Sequence, residues 1–183
     1  MKFLKYSFFL SIIALVSFGF ATFDPPTDAV EVKWLSWEEA AELNKTTPKK
    51  FFVDVYTDWC GWCKVMDKKT FTDPKVAAYL DEHFYSIKLD AESKEAIQHM
   101  GNTFEFREVP SSKRGGIHML AYSLLDGKMS YPTVVTLNEN FERIAISPGY
   151  KEAPAMYTEL QFAAEEHYLN TTFKEFMASQ KSR

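Results

Sequence analysis

The sequence predicts an α/β protein built around a central sheet with helices packed on it. Three observations carry that expectation. Residues 51–56, FFVDVY, are almost wholly apolar, so both faces of that strand expect cover. Strand-like and helix-like segments alternate along the chain, separated by turn residues. The chain has 183 residues, 46% of them hydrophobic and 16% aromatic, enough apolar material for one packed domain.

The chain opens with Lys2 and Lys5, an apolar run over 8–20 and Gly19-Phe20-Ala21. A charged start, an apolar stretch of this length and small residues at its end read as a signal peptide over residues 1–21. The run falls short of the ~20 apolar residues of a membrane helix, which makes an uncleaved anchor the alternative. Residues 22–32, with Pro25 and Pro26, read as an exposed leader, 33–170 as the domain and 171–183 as a C-terminal tail. The formal net charge is −4 and no basic stripe occurs, so nucleic acid and anionic membrane surfaces are poor partners. No internal repeat or low-complexity segment is present.

Ser36-Trp37-Glu38-Glu39 is a capping box that opens a helix running to about Lys45, before Pro48. The 51–56 strand follows, its one polar residue being Asp54, a carboxylate that is costly to bury unless it is paired or works. Asp73-Pro74 is an N-cap followed by proline at the first helical position, which starts a helix to about Glu82 and breaks the preceding one near 70–72. Residues 84–90 form the next strand, and 93–100 read as a helix stopped by Gly101-Asn102. Residues 103–109 alternate as a short edge strand, 110–116 form a loop, and 117–125 carry a helical pattern closed by Asp126-Gly127. After Tyr131-Pro132-Thr133 come a strand over 134–137, a turn at 138–140 and a partner strand over 141–147. Pro154 marks the last main helix, to about Tyr168, and the tail is a further short helix or frayed.

Between the first strand and its helix lie Cys60 and Cys63, the only cysteines in the protein. At a helix start this spacing brings both sulfurs over the first turn. Unpaired backbone N–H groups and the helix dipole there stabilise a thiolate. The chemistry this favours is thiol–disulfide exchange, with Cys60, facing solvent, attacking and Cys63 resolving. A structural disulfide would close too small a loop to constrain the unfolded chain much. A zinc site usually wants four Cys or His ligands, and His83, His99, His118 and His167 show no ligand-like pairing, so no metal is expected.

Asp54-Val55-Tyr56-Thr57-Asp58-Trp59-Cys60-Gly61-Trp62-Cys63-Lys64 resembles the active-site segment of the thioredoxin superfamily. Residues 70–76, TFTDPKV, are more similar to periplasmic thioredoxin-like proteins, including the C-terminal domain of the transmembrane reductant carrier. The resemblance covers about 33–168 and implies a three-layer sandwich, a mixed central sheet with helices on both faces. Residues 103–130 depart from it as an insertion before the proline loop, either a partner-selecting device or an elaborated form of the family's own helix.

The resemblance also implies site roles. Lys88 matches the lysine beside the buried aspartate, and Asp54 would then have a raised pKa and take the proton from Cys63. Pro132 would be cis, turning the backbone of Tyr131 toward the sulfurs to pair with substrate backbone, with Thr133 next to it. Trp59, Gly61 and Trp62 would supply contact surface around the pair, while Asp58 and Lys64 flank it. Pro148-Gly149-Tyr150 resembles the family's glycine turn near the site.

The expected function is an exported, periplasmic thiol–disulfide oxidoreductase that reduces protein disulfides and is recharged by a membrane electron donor. It would act as a monomer with no cofactor beyond the Cys60–Cys63 pair. The alternatives are a disulfide-donating oxidant or isomerase of the same fold, or a non-catalytic thioredoxin-fold binding module.

Overall fold

The computed structural model describes residues 31–110 and 114–181. The signal peptide expected over 1–21, and most of the 22–32 leader, lie outside the described residues. No helix among those described is long and apolar enough to cross a membrane.

Strand β1 is Trp34–Leu35, and helix α1 is Trp37–Asn44 with both halves of the Ser36/Glu39 capping box formed. Strand β2, Lys50–Tyr56, runs into helix α2, Gly61–Lys69. Asp73 caps helix α3, Pro74–His83, by accepting from the Lys75 and Val76 amides, so the break between the helices falls where Asp73-Pro74 places it. Strand β3 is Phe84–Asp90.

The stretch expected to be helical over 93–100 is instead part of a hairpin. Strand β4, Ile97–His99, pairs antiparallel with β5, Asn102–Phe104. Met100 and Gly101 link them, both at positive φ (48° and 77°), which is the two-residue turn that suits twisted strands. Gly101 therefore turns a hairpin where it had seemed to stop a helix. Ile97 and His99 face inward and Gln98 outward, a period of two. His99 packs against Trp37 and Phe141 at ring distances of 5.0 and 4.6 Å.

The insertion holds a second hairpin and a helix. The expected single edge strand over 103–109 is split at Glu105, its second half forming β6, Phe106–Glu108, which pairs with β7, Gly116–His118. Helix α4 covers only Met119–Leu124, because His118 is its N-cap, its ring nitrogen accepting from the Leu120 amide. Desolvation holds the buried His118 ring below its usual pKa, and its other nitrogen bonds the Glu95 carbonyl at 3.0 Å.

Strand β8, Thr133–Leu137, and strand β9, Arg143–Pro148, complete the main sheet, whose order is β1-β3-β2-β8-β9. β2 is central, parallel to β3 and antiparallel to β8, so the sheet is mixed. Helix α5, Ala153–Ala164, stops earlier than Tyr168, since Glu166 adopts a left-handed φ of 58° before a 3-10 turn at His167–Leu169. The tail forms helix α6, Phe173–Lys181, whose buried Phe176 lies 5.4 Å from the Phe162 ring of α5.

The alternation of β2 decides the layers. Phe51, Val53 and Val55 pack with Trp37 of α1 and with Leu120, Ala121 and Leu125 in and just after α4. Phe52 turns the other way, into Met66, Phe71, Leu80, Met156 and Leu160. Lys50, at the bottom of β2, is held by Glu139 and Glu166 at 2.9 and 3.0 Å, which pins the far end of the sheet away from the cysteines.

Phe52 is fully buried and meets Trp34, Phe71 and Phe84 edge-on or tilted. Phe52→Ala is expected to lower unfolding stability by about 4 kcal/mol, read from urea midpoints at an unchanged m value.

Candidate redox centre

The reactive pair sits where the central strand ends and α2 begins. The Cys60 amide donates to the Thr57 carbonyl at 3.0 Å, which closes the turn after β2. Cys60 is the N-cap of α2, and its sulfur accepts from the Cys63 amide at 3.1 Å. The two cysteines form a disulfide, with their Cα atoms 5.3 Å apart. The first turn of α2 has no acidic residue and the last carries Lys68 and Lys69, a charge layout that leaves the dipole at the cysteine end unopposed.

Cys60 does not face solvent as expected from the sequence. It is 4% exposed and Cys63 2%, because the Cys60 sulfur folds back over the helix start to serve as its cap. Space remains open at Gly61, where an added Cβ would meet nothing within 4 Å.

The Tyr131–Pro132 bond is cis. The Pro132 carbonyl accepts from the amide of Gly149, the turn glycine at φ 86°, at 2.8 Å. Pro132 is buried and Tyr131 half-buried. Thr133 is buried as well, pairs with Val55, and donates its hydroxyl to the Ser130 carbonyl at 2.7 Å, so its side chain ties the loop to itself. Trp59 and Trp62 are 45% and 61% exposed. The Trp59 ring stands edge-on to Tyr131 at 5.8 Å, and Trp62 leans on Tyr150 at 5.3 Å. Asp58 and Lys64 are exposed.

On the other side of the strand end, Asp54 is completely buried. The β2–β3 register sets Asp54 opposite Lys88, and the Lys88 ammonium lies 2.7 Å from one carboxylate oxygen. The second oxygen has no partner among the described residues. Burial pushes the Asp54 carboxyl up to about 6, against the pull of Lys88 and with a small further push from Asp67. Burial also works against the charged form of Lys88, yet Asp54 and Asp67 together outweigh it and raise the lysine. The rings of Trp34, Tyr56 and Phe71 surround the same ammonium at 4.8, 5.0 and 5.5 Å.

Comparison with known proteins fits this geometry. A family model described as Thioredox_DsbH, a protein of unknown function (DUF255), matches residues 27–106. A solved structure described as DsbH oxidoreductase superposes with a TM-score of 0.55, at 17% identity, covering 78% of this chain and 90% of that one. A Bacteroides thetaiotaomicron protein, provisionally described as a disulphide-isomerase, gives a TM-score of 0.52 at 27% identity, over 75% of this chain and 96% of its own. This is a thioredoxin fold. The thiol:disulfide interchange protein DsbD of Vibrio vulnificus is 31% identical over 94 residues, 48% of this chain and 16% of its own length. The chain spans 16% or less of the curated relatives it matches first. The fold is thus that of these solved structures, and the sequence over 94 residues is similar to DsbD.

Within this thioredoxin fold, the sequence reading missed three residues that meet the predicted site, Asp67, Glu92 and Arg114. Asp67 lies four residues after Cys63, hence on the same face of α2, and forms an ion pair with Lys88. That spacing was a usable signal. Glu92 accepts from the Trp59 indole N–H at 3.0 Å, Tyr150 backs Trp62, and Arg114 lies over Trp59. For Glu92 and Arg114 nothing local in the sequence pointed to the site, whereas Tyr150 belongs to the glycine turn expected near it. Among the described residues no group of three or more His, Cys, Asp or Glu could hold a metal ion.

The raised Asp54 pKa makes stability depend on pH with a definite sign. The fold favours the protonated carboxyl, so this contribution is fully present below the unfolded value of about 3.9 and is lost as pH rises through about 6. Between pH 4 and pH 8 the oxidised protein is expected to lose about 2 kcal/mol relative to Asp54→Asn, measured by urea unfolding of both at each pH.

Proposed function

We propose that the chain is an exported thiol–disulfide oxidoreductase that reduces protein disulfides. The observation that carries this reading is the Cys60–Cys63 disulfide capping α2, with the cis Tyr131–Pro132 bond in a neighbouring loop and the buried Asp54–Lys88 pair in the same strand end. Reduced Cys60 is stabilised as a thiolate by the unopposed helix start and attacks a substrate disulfide. One substrate thiolate leaves and a mixed disulfide with Cys60 remains. Asp54, with one oxygen unpartnered, takes the Cys63 proton. The Cys63 thiolate then attacks the Cys60 sulfur, which forms the Cys60–Cys63 disulfide and releases the second substrate thiolate. Two electrons have passed to the substrate. Lys88 keeps the Asp54 carboxylate tolerable in its buried position.

Substrate docks in this reading on the Tyr131 backbone beside Pro132, with Gly61 as the open approach and Trp59 and Trp62 as flanking apolar contacts. Thr133 supports the loop from beneath. The reaction needs no cofactor or metal beyond the cysteine pair, and a monomer suffices. A membrane-held dithiol resets the disulfide, which the DsbD-like sequence supports. Export rests on residues 1–21, and the functional domain on 33–170 with its insertion over 103–130, α6 being packed onto it. Run backwards, the same parts donate a disulfide or isomerise one, and the described activity of the Bacteroides relative favours keeping that second reading.

Two measurements decide. Cys63→Ala is expected to accumulate mixed disulfides on Cys60 when cells are quenched in acid, and recovering none would sink the enzymatic reading in favour of a binding module. In glutathione buffers the pair is expected to equilibrate near about −270 mV, whereas a value near about −120 mV would reverse the direction to disulfide donation.

A further inference from the structure

The β6–β7 hairpin contributes a side chain to the redox centre. The Arg114 guanidinium carbon lies 3.5 Å from the centre of the Trp59 ring. The same indole is bonded by Glu92 at 3.0 Å, from the segment after β3, and meets Tyr131 of the proline loop edge-on. Three segments far apart in sequence therefore converge on the residue that immediately precedes Cys60. The hairpin that carries Arg114 is itself firmly rooted. Val109 donates to the Gly115 carbonyl at 2.7 Å, His118 to the Ala91 carbonyl at 2.8 Å, and Met119 to the Glu105 carbonyl at 3.0 Å. At Gly116 the strands close so tightly that a Cβ would lie 2.1 Å from the Arg107 carbonyl oxygen.

Resting on the oxidoreductase reading above, we propose that this hairpin is a selecting wall of the redox cleft. Arg114 is its positioning residue, fixing Trp59 so that an extended disulfide-bearing peptide with an apolar residue beside its cysteine packs between Trp59 and Trp62. Both indoles, next to Cys60 and Cys63 in sequence, remain exposed, and each is already held, Trp59 by Arg114 and Glu92 and Trp62 by Tyr150. An aromatic wall held in place before binding offers contact area without the entropy cost of ordering it on association. A planar guanidinium suits this task, because it stacks flat on an indole while a lysine ammonium does not.

The test uses the full chain and two peptide disulfides that differ only in Leu or Ser beside the cysteine. The wild-type protein is expected to favour the Leu peptide in kcat/KM. Arg114→Ala is expected to lower that preference about fivefold, chiefly through KM, with a red shift of the tryptophan emission. Arg114→Lys keeps the charge and is expected to recover less than half of the loss. Gly116→Ala, which displaces the hairpin from its root, is expected to lower the preference as well. No preference in the wild type, an unchanged preference in Arg114→Ala, or full recovery by lysine would each overturn the proposal. Hydroxyethyl disulfide serves as the separate check. A wild-type protein that exchanges with neither it nor the peptides defeats the oxidoreductase reading itself, and this proposal with it.

Discussion

One buried ammonium–carboxylate contact organises the functional end of this molecule. Asp54 is fully enclosed in the central strand, where an isolated charge would be prohibitive. The parallel register of β2 and β3 brings Lys88 directly opposite, and no other pairing of those strands would do so. Around that ammonium gather Trp34 from β1, Tyr56 from β2, Asp67 from α2 and Phe71 from the break before α3. A buried pair of this kind is weak evidence for stability, since apolar residues would hold the sheet at least as well. Its interest lies in the carboxyl itself, which burial raises to about 6 against the pull of Lys88. In the proposed mechanism this raised carboxyl is the group that receives the Cys63 proton.

The sequence disclosed those parts of the molecule whose signals are local. The capping box at Ser36, the Asp73-Pro74 helix start and the doubly apolar β2 each specify their own backbone, and each formed as read. Lys88 became legible through the family resemblance, because a strand register cannot be read from one strand alone. The 93–100 error has a definite cause. Its residues are tolerable in a helix, and Gly101 ends helices as readily as it turns hairpins, so only the packing of Ile97 and His99 against the α1 side of the core separates the two. The solvent-facing Cys60 failed for a similar reason. A position at a helix terminus implies access, but a cysteine that caps its own helix points its sulfur inward.

The insertion resolves into two parts with different duties. Leu120, Ala121 and Leu125 join the core over the Phe51 face of the sheet, so α4 serves as the covering helix that this layer requires. The β6–β7 hairpin adds little to that core and instead delivers Arg114 to Trp59. The helical half fits the reading of an elaborated covering helix, and the hairpin half is where the selecting role is proposed. His118 is the joint between them, since it ends β7, caps α4 and bonds the segment that carries Glu92 and Glu95.

The near-complete burial of both cysteines then bears on how any partner reaches them. A disulfide that is 4% and 2% exposed at its two residues is not attacked from arbitrary directions. Trp59 meets Tyr131 and Trp62 meets Tyr150, while an added Cβ at Gly61 would meet nothing within 4 Å. In the proposed docking an incoming chain lies against these exposed rings. In the proposed function the helix start stabilises the thiolate, and the aromatic contacts discriminate among its partners. On that reading reactivity follows from elements legible in the sequence, and selectivity from contacts between segments that only the folded chain brings together.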